Sequence, residues 1–388
     1  MVNPFIADDS GRLPLYIAGR ASQIDDIRRI AEVHEDPRRK NILITGLRGV
    51  GKSVLLTYLN TELRKNDWYS LVLTIYEGKG RRTRDLMVYI IEELALLLDK
   101  ENIDNGNNLE KIKDIYKSTN GSIETRTQVI IEYSIQQILK AGKKGLMIGF
   151  DEAQFIIDNK SIEEYPRSTL LSILTKVQGS DLPFFYSFCG LPNLLESLQE
   201  SKPNVERAFG YYEPLEYLND TDSRDLITGT LQRSHSGVNF SDDLVNRIIS
   251  ISAGYPYFIQ YYCRELIDRG QPAQVNFGIN DFEKIETKVT ESLDKKYYDS
   301  RFELLSDSDK KYFQVSLSIH KPFLPKDLLE AYNKKYPEDE KTQVAIRQAI
   351  FRLTQKGILL KKKNGYDYTI PLIEQYLERK NTKKEIDF

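Results

Sequence analysis

The residues best suited to chemistry form a glycine-rich loop, 46–53, which reads GLRGVGKS and follows the pattern G-x-x-x-x-G-K-[ST]. An apolar run, 41–45, precedes this loop and an amphipathic pattern, 53–65, follows it. Glycines between a strand and a helix let backbone N–H groups wrap phosphates, and the helix N-terminus adds its positive end. Lys52 would reach the β and γ phosphates, and the Ser53 hydroxyl would ligate Mg²⁺. The loop residues expected to contact a nucleotide are Gly46, Arg48, Gly49, Val50, Gly51, Lys52, Ser53 and Val54.

A second candidate for chemistry is the carboxylate pair Asp151 and Glu152, which directly follows the apolar run 145–150. We expect Asp151 to hold Mg²⁺ together with Ser53, and Glu152 to polarise the attacking water. Taken alone the pair is weak evidence, because any buried strand can end in acidic residues. In a chain that also carries the phosphate loop, it favours hydrolysis of ATP over binding alone.

Composition excludes several classes of protein. The chain has 388 residues, 40% hydrophobic and 29% charged, which is ordinary globular composition at a length of two or three domains. No apolar run is long enough to span a membrane, and the N-terminus lacks a secretory pattern, so we expect a soluble, cytoplasmic protein. With two cysteines and three scattered histidines there is no disulfide framework and no zinc-ligand spacing, so a metal would bind through oxygen ligands.

The elements that would position these residues alternate along the first half of the chain. The apolar runs that predict strands are 41–45, 70–76, 145–150 and 182–189, and the helical patterns between them are 53–65, 83–99, 128–140 and 168–178. This alternation predicts an α/β fold, a P-loop NTPase parallel sheet with helices on both faces. The polar stretch 104–122 reads as a mobile, loop-rich insertion.

After about residue 218 the strand signals disappear. Helices are predicted at 221–232, 241–252, 256–269 and 281–298, followed by a last module with helices at 308–318, 325–334 and 341–356 and a hairpin around Asn364-Gly365. Three helices and a hairpin predict a winged helix. The predicted domains are therefore 1–218 for nucleotide binding, 219–299 as an all-helical lid, 300–380 as a winged helix and 381–388 as a tail.

These motifs together resemble the AAA+ ATPases, specifically their initiator-like (origin-recognition type) and STAND-like branch, over almost the whole chain. Residues 17–20, IAGR, resemble the box whose backbone lies near the adenine, which assigns nucleotide contacts to Ile17, Gly19 and Arg20. Residues 254–258, GYPYF, resemble the helical-lid box, which adds Tyr255 and Pro256. The end of the fourth strand, 188–194, and the C-terminal stretch 368–377 resemble those of stand-alone prokaryotic ATP-binding members.

The resemblance also implies a role for Arg207, which follows the fourth strand. The family places there an arginine finger that reaches a neighbouring subunit's γ-phosphate, which implies a nucleotide-dependent homo-oligomer. The alternative is an exposed arginine that pairs with Glu206 or Glu213.

The sensor positions depart from the family pattern. Ser187 and Cys189 stand where Asn, Thr or Arg is usual, and Pro256 stands where many AAA+ motors carry a sensor arginine. Both departures favour a slow switch over a processive motor.

The last module offers a candidate DNA-reading surface. Residues 301–388 contain 18 Lys+Arg against 13 Asp+Glu, a weak positive surplus that permits contact with phosphates. On the predicted helix 341–356, the residues expected to face the core are Val344, Ala345, Ile350 and Leu353, and those expected to face outward are Gln343, Arg347, Gln348 and Gln355. Lys361, Lys362 and Lys363 would lie on the wing. The acidic tract 338–340 argues against DNA.

Three functions remain open from the sequence. The first is an Mg²⁺-dependent AAA+ ATPase that acts as a nucleotide-dependent switch and engages duplex DNA through the winged helix. The second is a STAND-type signalling or scaffold ATPase whose winged helix docks a partner protein. The third is a transcription regulator in which the nucleotide is only an effector.

Overall fold

The computed structural model describes residues 2–7, 12–32, 41–76, 78–101, 103, 106–271, 273–299, 302–303, 305–362 and 364–383, with backbone only at 211–213, 355 and 381–383. The chain forms two compact units. The sheet unit comprises Arg20–Gly46 and Lys52–Leu215, and the helical unit comprises Met1–Gly19, Leu47–Gly51 and Glu216–Phe388. Among these described residues, no helix has the length and apolarity needed to cross a membrane.

The sheet unit is built on a five-stranded parallel sheet. Its strands are β1 Asn41–Gly46, β2 Tyr69–Thr74, β3 Leu146–Asp151, β4 Phe184–Gly190 and β5 Phe209–Leu215, in the spatial order β2-β3-β4-β1-β5. Every residue of β1 and β4 is buried, because helices cover both faces of a parallel sheet. The predicted α/β fold with its P-loop NTPase sheet is confirmed, and β5 is a strand that the sequence analysis missed.

Seven helices of the sheet unit lie within the described residues. They are α1 Ala21–Glu32, α2 Lys52–Lys65, α3 Thr83–Lys100, α4 Asn108–Ser118, α5 Ile123–Lys140, α6 Pro166–Gln178 and α7 Leu194–Ser201. The predicted loop at 104–122 was wrong, because α4 occupies most of it. Ile112 of α4 is buried in the core, and the Asn108 N–H donates to Asp99 Oδ1 at 2.7 Å.

The helical unit begins with a bundle of α8 Asp220–Ser234, α9 Asp242–Ser252, α10 Pro256–Arg269, α11 Ile279–Glu283 and α12 Glu286–Leu293, with a two-residue parallel pair, β6 Asn239–Phe240 and β7 Asn276–Phe277. Ser241 caps α9 by accepting the Leu244 N–H at 3.4 Å. The continuous helix predicted at 281–298 was wrong, because the segment breaks into α11, α12 and a π-helical turn, Asp294–Asp299.

The N-terminal segment packs within the helical unit. Asn3 Nδ2 donates to the Arg264 carbonyl at 2.9 Å, and the Ile6 N–H donates to Gln260 Oε1 at 3.0 Å. Phe5 stacks on Phe240 with ring centroids 6.1 Å apart. The structure therefore divides the predicted domain 1–218 differently, because Met1–Gly19, Leu47–Gly51 and the residues from Glu216 onward belong to the helical unit.

The C-terminal module contains α13 Asp307–Ser316, α14 Pro325–Lys335, α15 Gln343–Gln355, the antiparallel hairpin β8 Leu359–Lys362 and β9 Gly365–Tyr368, and α16 Ile373–Lys383. Three helices followed by a hairpin is the order predicted for a winged helix. Helix α16 includes residues 381–383 of the predicted tail, and residues 384–388 lie outside the described part of the chain.

The buried face of α15 differs from the prediction by a small rotation. Its buried residues are Ile346, Ala349, Ile350 and Leu353. Val344 was wrongly assigned to the core and is 65% exposed. The helix begins at Gln343 with Thr342 as N-cap, so Val344 lies in the exposed first turn. The buried face begins instead at Ile346 and continues at helical spacing through Ala349 and Leu353.

Candidate nucleotide site

The sheet topology brings the ends of three neighbouring strands together. In the spatial order, β4 lies between β3 and β1. Ile44 of β1 pairs with Cys189, and Phe150 of β3 pairs with Phe188. Since parallel strands share their carboxyl edge, Lys52 after β1 and Asp151 at the end of β3 flank the end of β4.

The charges of Lys52 and Asp151 both shift the pKa of the Cys189 thiol. Burial raises the pKa of this thiol well above its usual value, and the Asp151 carboxylate, with which it hydrogen-bonds, raises the pKa further. The Lys52 ammonium acts in the opposite direction. Lys52 is itself only 7% exposed. Lys52 and Asp151, one predicted to bind phosphate and the other metal, therefore converge on one polar, largely buried spot at the sheet edge.

Glu152 lies next to this spot in an uncommon backbone conformation. Its φ is 53°, in the left-handed region that costs a non-glycine residue about 1 kcal/mol. Its N–H donates to Asp151 Oδ1 at 2.9 Å, and its half-buried carboxylate accepts a hydrogen bond from the Gln154 amide. Gln154 was missed by the sequence analysis, and its position two residues after Glu152 was the available signal.

The tip of the glycine-rich loop, Leu47–Gly51, belongs to the helical unit and packs there on α10. The Gly49 carbonyl accepts the Tyr257 N–H at 3.2 Å. Gly49 has φ +80°, and a Cβ there would lie 3.2 Å from Tyr257 Cβ, so a glycine suits both the conformation and the approach. Val50 is buried, while Gly51 and Val54 are half-buried and Ser53 is exposed on the first turn of α2.

Within the helical unit, several residues predicted to lie near the adenine gather around Leu218. A Cβ at Gly19 would lie 2.7 Å from Leu218 Cδ2, and the Leu218 N–H donates to the Gly254 carbonyl at 2.8 Å. Tyr255, directly after Gly254, is buried. The remaining predicted residues are placed as follows: Ile17 is half-buried, Pro256 is the first residue of α10, and Arg20 belongs to the sheet unit and is buried. Sequence reasoning missed Leu218.

Arg207 is placed away from Lys52 and Asp151 within the sheet unit. It is exposed on a 3₁₀ turn, Val205–Ala208, that leads directly into β5. That position is at the amino edge of the sheet, about 20 Å along the strands from the carboxyl edge that holds Lys52 and Asp151. Arg207 forms no ion pair with any side chain that the structure describes, and the side chain of Glu213 is not among them. The pKa of Glu206 is lowered mainly by a hydrogen bond from Gln199, and the charge of Arg207 lowers it further by a smaller amount.

The candidate DNA-contact residues fall into two groups. Gln343, Arg347 and Gln348 are exposed on α15, as predicted. On the hairpin Lys361 is exposed, whereas Lys362 Nζ pairs with Asp367 Oδ2 at 2.5 Å. Lys363 and the side chain of Gln355 lie outside the described residues.

The residues present fit a nucleoside triphosphate and Mg²⁺. In the sheet unit, Lys52 supplies a buried cation for phosphate. In the helical unit, the Arg48 Nε is buried and has no hydrogen-bond partner in the described part of the chain. Ser53 and Asp151 supply the oxygen ligands that Mg²⁺ prefers.

The chain was compared with known protein families and curated proteins. Residues 16–181 match the model of the AAA ATPase domain. An uncharacterized HTH-type transcriptional regulator of Methanocaldococcus jannaschii is 22% identical over 290 residues, which are 68% of this chain and 66% of that protein. The chain thus spans slightly less than two thirds of that relative's length.

Solved structures agree with the fold over nearly the whole chain. The Walker-type ATPase of Pyrococcus abyssi has a TM-score of 0.60 at 15% identity, covering 93% of this chain and 96% of that one. The Aeropyrum pernix ORC2 protein in ADPNP–ADP complexes has a TM-score of 0.58 at 13% identity, covering 96% and 98%. The A. pernix ORC1 protein in complex with DNA has a TM-score of 0.50 at 13% identity, covering 96% and 94%. The chain therefore shares its overall P-loop fold with these ATPase and ORC proteins.

Proposed function

We propose that the protein is an Mg²⁺-dependent ATPase that uses its nucleotide state as a slow switch. The observation that carries this proposal is the convergence of Lys52 and Asp151 on Cys189, with Glu152 beside them. Lys52 would bind the β and γ phosphates, and Asp151 and Ser53 would hold Mg²⁺. When bound, Mg²⁺ neutralises charge on the transferring phosphoryl group.

In this proposal Glu152 accepts a proton from the attacking water. Its carboxylate follows the metal-binding residue directly and is half-buried, so it is partly shielded from bulk solvent. At the end of β4, the Cys189 thiol is neutral because its pKa is raised, and a thiol is a weak hydrogen-bond donor. A weak hydrogen-bond donor beside the phosphate would stabilise the charge of the transition state only slightly, which supports slow turnover.

We further propose that the C-terminal module engages duplex DNA as the output of the switch. Arg347 and Gln348 are exposed side by side on α15 and are residue types suited to base edges. Lys361 on the hairpin is exposed and available for a phosphate. Support also comes from the fold of the ORC1 protein solved with DNA and from the HTH-type name of the curated relative.

A partner protein is the second candidate, and the exposed apolar residues of α15 favour it. Val344 and Phe351 are 65% and 62% exposed and lie seven positions apart, on one face of the helix. Lys362 is partly neutralised by Asp367, which weakens the basic character of the hairpin. Exposed apolar residues beside polar ones are typical of protein docking.

A salt titration of binding to random duplex DNA, with ATP, with ADP and without nucleotide, separates the two outputs. DNA binding predicts an affinity that falls with salt and depends on the nucleotide. The variant Lys361→Glu should weaken binding and flatten the salt slope by about one phosphate contact. Lys288→Glu is the matched control, since Lys288 is exposed on α12, outside the module. Salt-independent or absent binding by the parent protein would support the docking of a partner protein instead.

A further inference from the structure

Gln154 connects the water-activating carboxylate to the end of β4. Its Nε2 donates to Glu152 Oε2, and its Oε1 accepts the Leu191 N–H at 3.2 Å. Leu191 is the first residue after β4. One amide group therefore spans from the carboxylate after β3 to the backbone after β4, the two ends that flank the proposed phosphate site.

The chemistry of the two partners fixes the orientation of this amide. A backbone N–H can only donate, so the Gln154 atom facing Leu191 must be the carbonyl oxygen. An ionised carboxylate can only accept, so the atom facing Glu152 must be the NH₂ group. Both requirements are met by the same orientation. A glutamate at position 154 would offer no donor to Glu152, and an alanine would offer neither group.

The backbone at Gly190 leaves room for the bridge. A Cβ there would lie 2.6 Å from Gln154 Oε1 and 2.9 Å from Leu194 Cδ2. The Leu194 atom is the end of a flexible side chain and can move, whereas the Gln154 oxygen is held by its bond to Leu191. The absence of a side chain at Gly190 is therefore needed for Gln154 to hold its position.

We propose that Gln154 is a positioning residue for ATP hydrolysis, which holds the Glu152 carboxylate in register with the end of β4. The left-handed φ of Glu152 supports the same role, because the backbone alone does not favour this placement. The bridge makes the position of the carboxylate depend on residues 190–191. This inference rests on the proposed hydrolysis.

The test is a double-mutant cycle on the full chain, with phosphate release and ATP affinity measured for each variant. Gln154→Ala should lower kcat by about 10- to 100-fold and leave ATP affinity within about twofold, because a misplaced base impairs only the chemical step. Gly190→Ala should lower kcat in the same way. Added to Gln154→Ala it should have little further effect, since the oxygen it displaces is already gone. Gln128→Ala is the matched control, because Gln128 Nε2 donates to Glu132 Oε1 at 2.9 Å on α5, outside the site.

The outcomes separate this inference from the proposed function. The inference is contradicted if Gln154→Ala keeps parental kcat while Glu152→Gln abolishes turnover, and in that case the hydrolysis proposal stands. Additive losses in the double variant, or an equal loss in Gln128→Ala, would also overturn it, since they would indicate a general loss of structure. A parental protein without turnover would overturn both.

Discussion

At the scale of single residues, Cys189 is the most unusual member of the candidate site. It lies on β4 between Lys52 and Asp151, where the resemblance to AAA+ proteins leads one to expect Asn, Thr or Arg. Its thiol is fully buried and hydrogen-bonds with Asp151. Because the thiol is neutral, it hydrogen-bonds with the Asp151 carboxylate without adding a charge of its own beside it.

The two thiols of the chain should react slowly in the native protein. Burial raises the pKa of both Cys189 and Cys263 well above the usual value, so both stay protonated near pH 8, and the thiolate is the reactive form. We expect modification by a charged thiol reagent to be at least about 100-fold slower in the folded protein than in urea. Rapid modification of one thiol per native chain would contradict the burial of that cysteine.

At the scale of elements, the sequence was most informative where one physical requirement dominates. Strands β1 to β4 were predicted because a parallel strand buried on both faces must be apolar throughout. Strand β5, which reads FGYYEPL, was missed because Gly, Glu and Pro interrupt its apolar run. Helix α4 was missed because its sparse apolar positions, at Leu109, Ile112 and Ile115, lie in a polar stretch.

The residues of the candidate site also divide into those that the sequence predicted and those that it missed. The phosphate loop and the Asp151-Glu152 pair were readable because contiguous residues supply them. Gln154 and Leu218 were not, because their roles depend on contacts with the ends of other elements, Leu191 and Gly254. Val344 was assigned to the wrong face of α15 because that assignment depends on where the helix begins. The periodicity of the sequence does not define the first residue of a helix.

A buried carboxylate should stabilise the C-terminal module. Asp309 is 1% exposed, and although burial alone raises its pKa, hydrogen bonds from Arg352 and Lys356 lower the pKa overall. Asp309→Asn should reduce the free energy of unfolding by about 1–2 kcal/mol near pH 7, because both basic partners are partly exposed and regain water. Thermal or urea unfolding measures this loss. Asp307→Asn is the control, since Asp307 is fully exposed and lies 3.7 Å from Lys310.

The pH dependence of this loss has a definite sign. A carboxyl group whose folded-state pKa is lowered stabilises the protein above its unfolded pKa, about 3.9, and this contribution is lost as the pH falls through the folded pKa. The difference between the parent and Asp309→Asn should therefore shrink below about pH 4. A difference that is constant down to pH 3, or an equal loss in Asp307→Asn, would contradict the ion-pair origin of the effect.

At the scale of the whole molecule, the position of Arg207 bears on assembly. It lies at the amino edge of the sheet, whereas Lys52, Asp151 and Glu152 lie at the carboxyl edge. Arg207 therefore cannot complete the site of its own chain. If it acts as an arginine finger, it acts on a neighbouring copy, so hydrolysis requires an oligomer.

A mixing experiment tests this role of Arg207. Arg207→Ala should lower turnover about 10³-fold without weakening ATP binding. Glu152→Gln subunits, inactive in their own sites but carrying Arg207, should restore activity to Arg207→Ala subunits when the two co-assemble. Activity that stays at baseline in a co-assembled mixture would identify Arg207 as a surface residue and the protein as a switch that works within one chain.

The central claim is that Lys52, Asp151 and Glu152 form a site that hydrolyses ATP. The most direct test measures phosphate release and ATP affinity for the parent protein, Lys52→Ala and Glu152→Gln. Each measurement is made with Mg²⁺ and again with EDTA. We predict Mg²⁺-dependent turnover in the parent and loss of ATP binding or turnover in Lys52→Ala with the fold intact. Glu152→Gln should keep its ATP affinity and lose turnover by about 10²-fold or more, since only the activation of water is removed. Turnover in Glu152→Gln equal to that of the parent, or unchanged ATP affinity and turnover in Lys52→Ala, would contradict the assignment of the site.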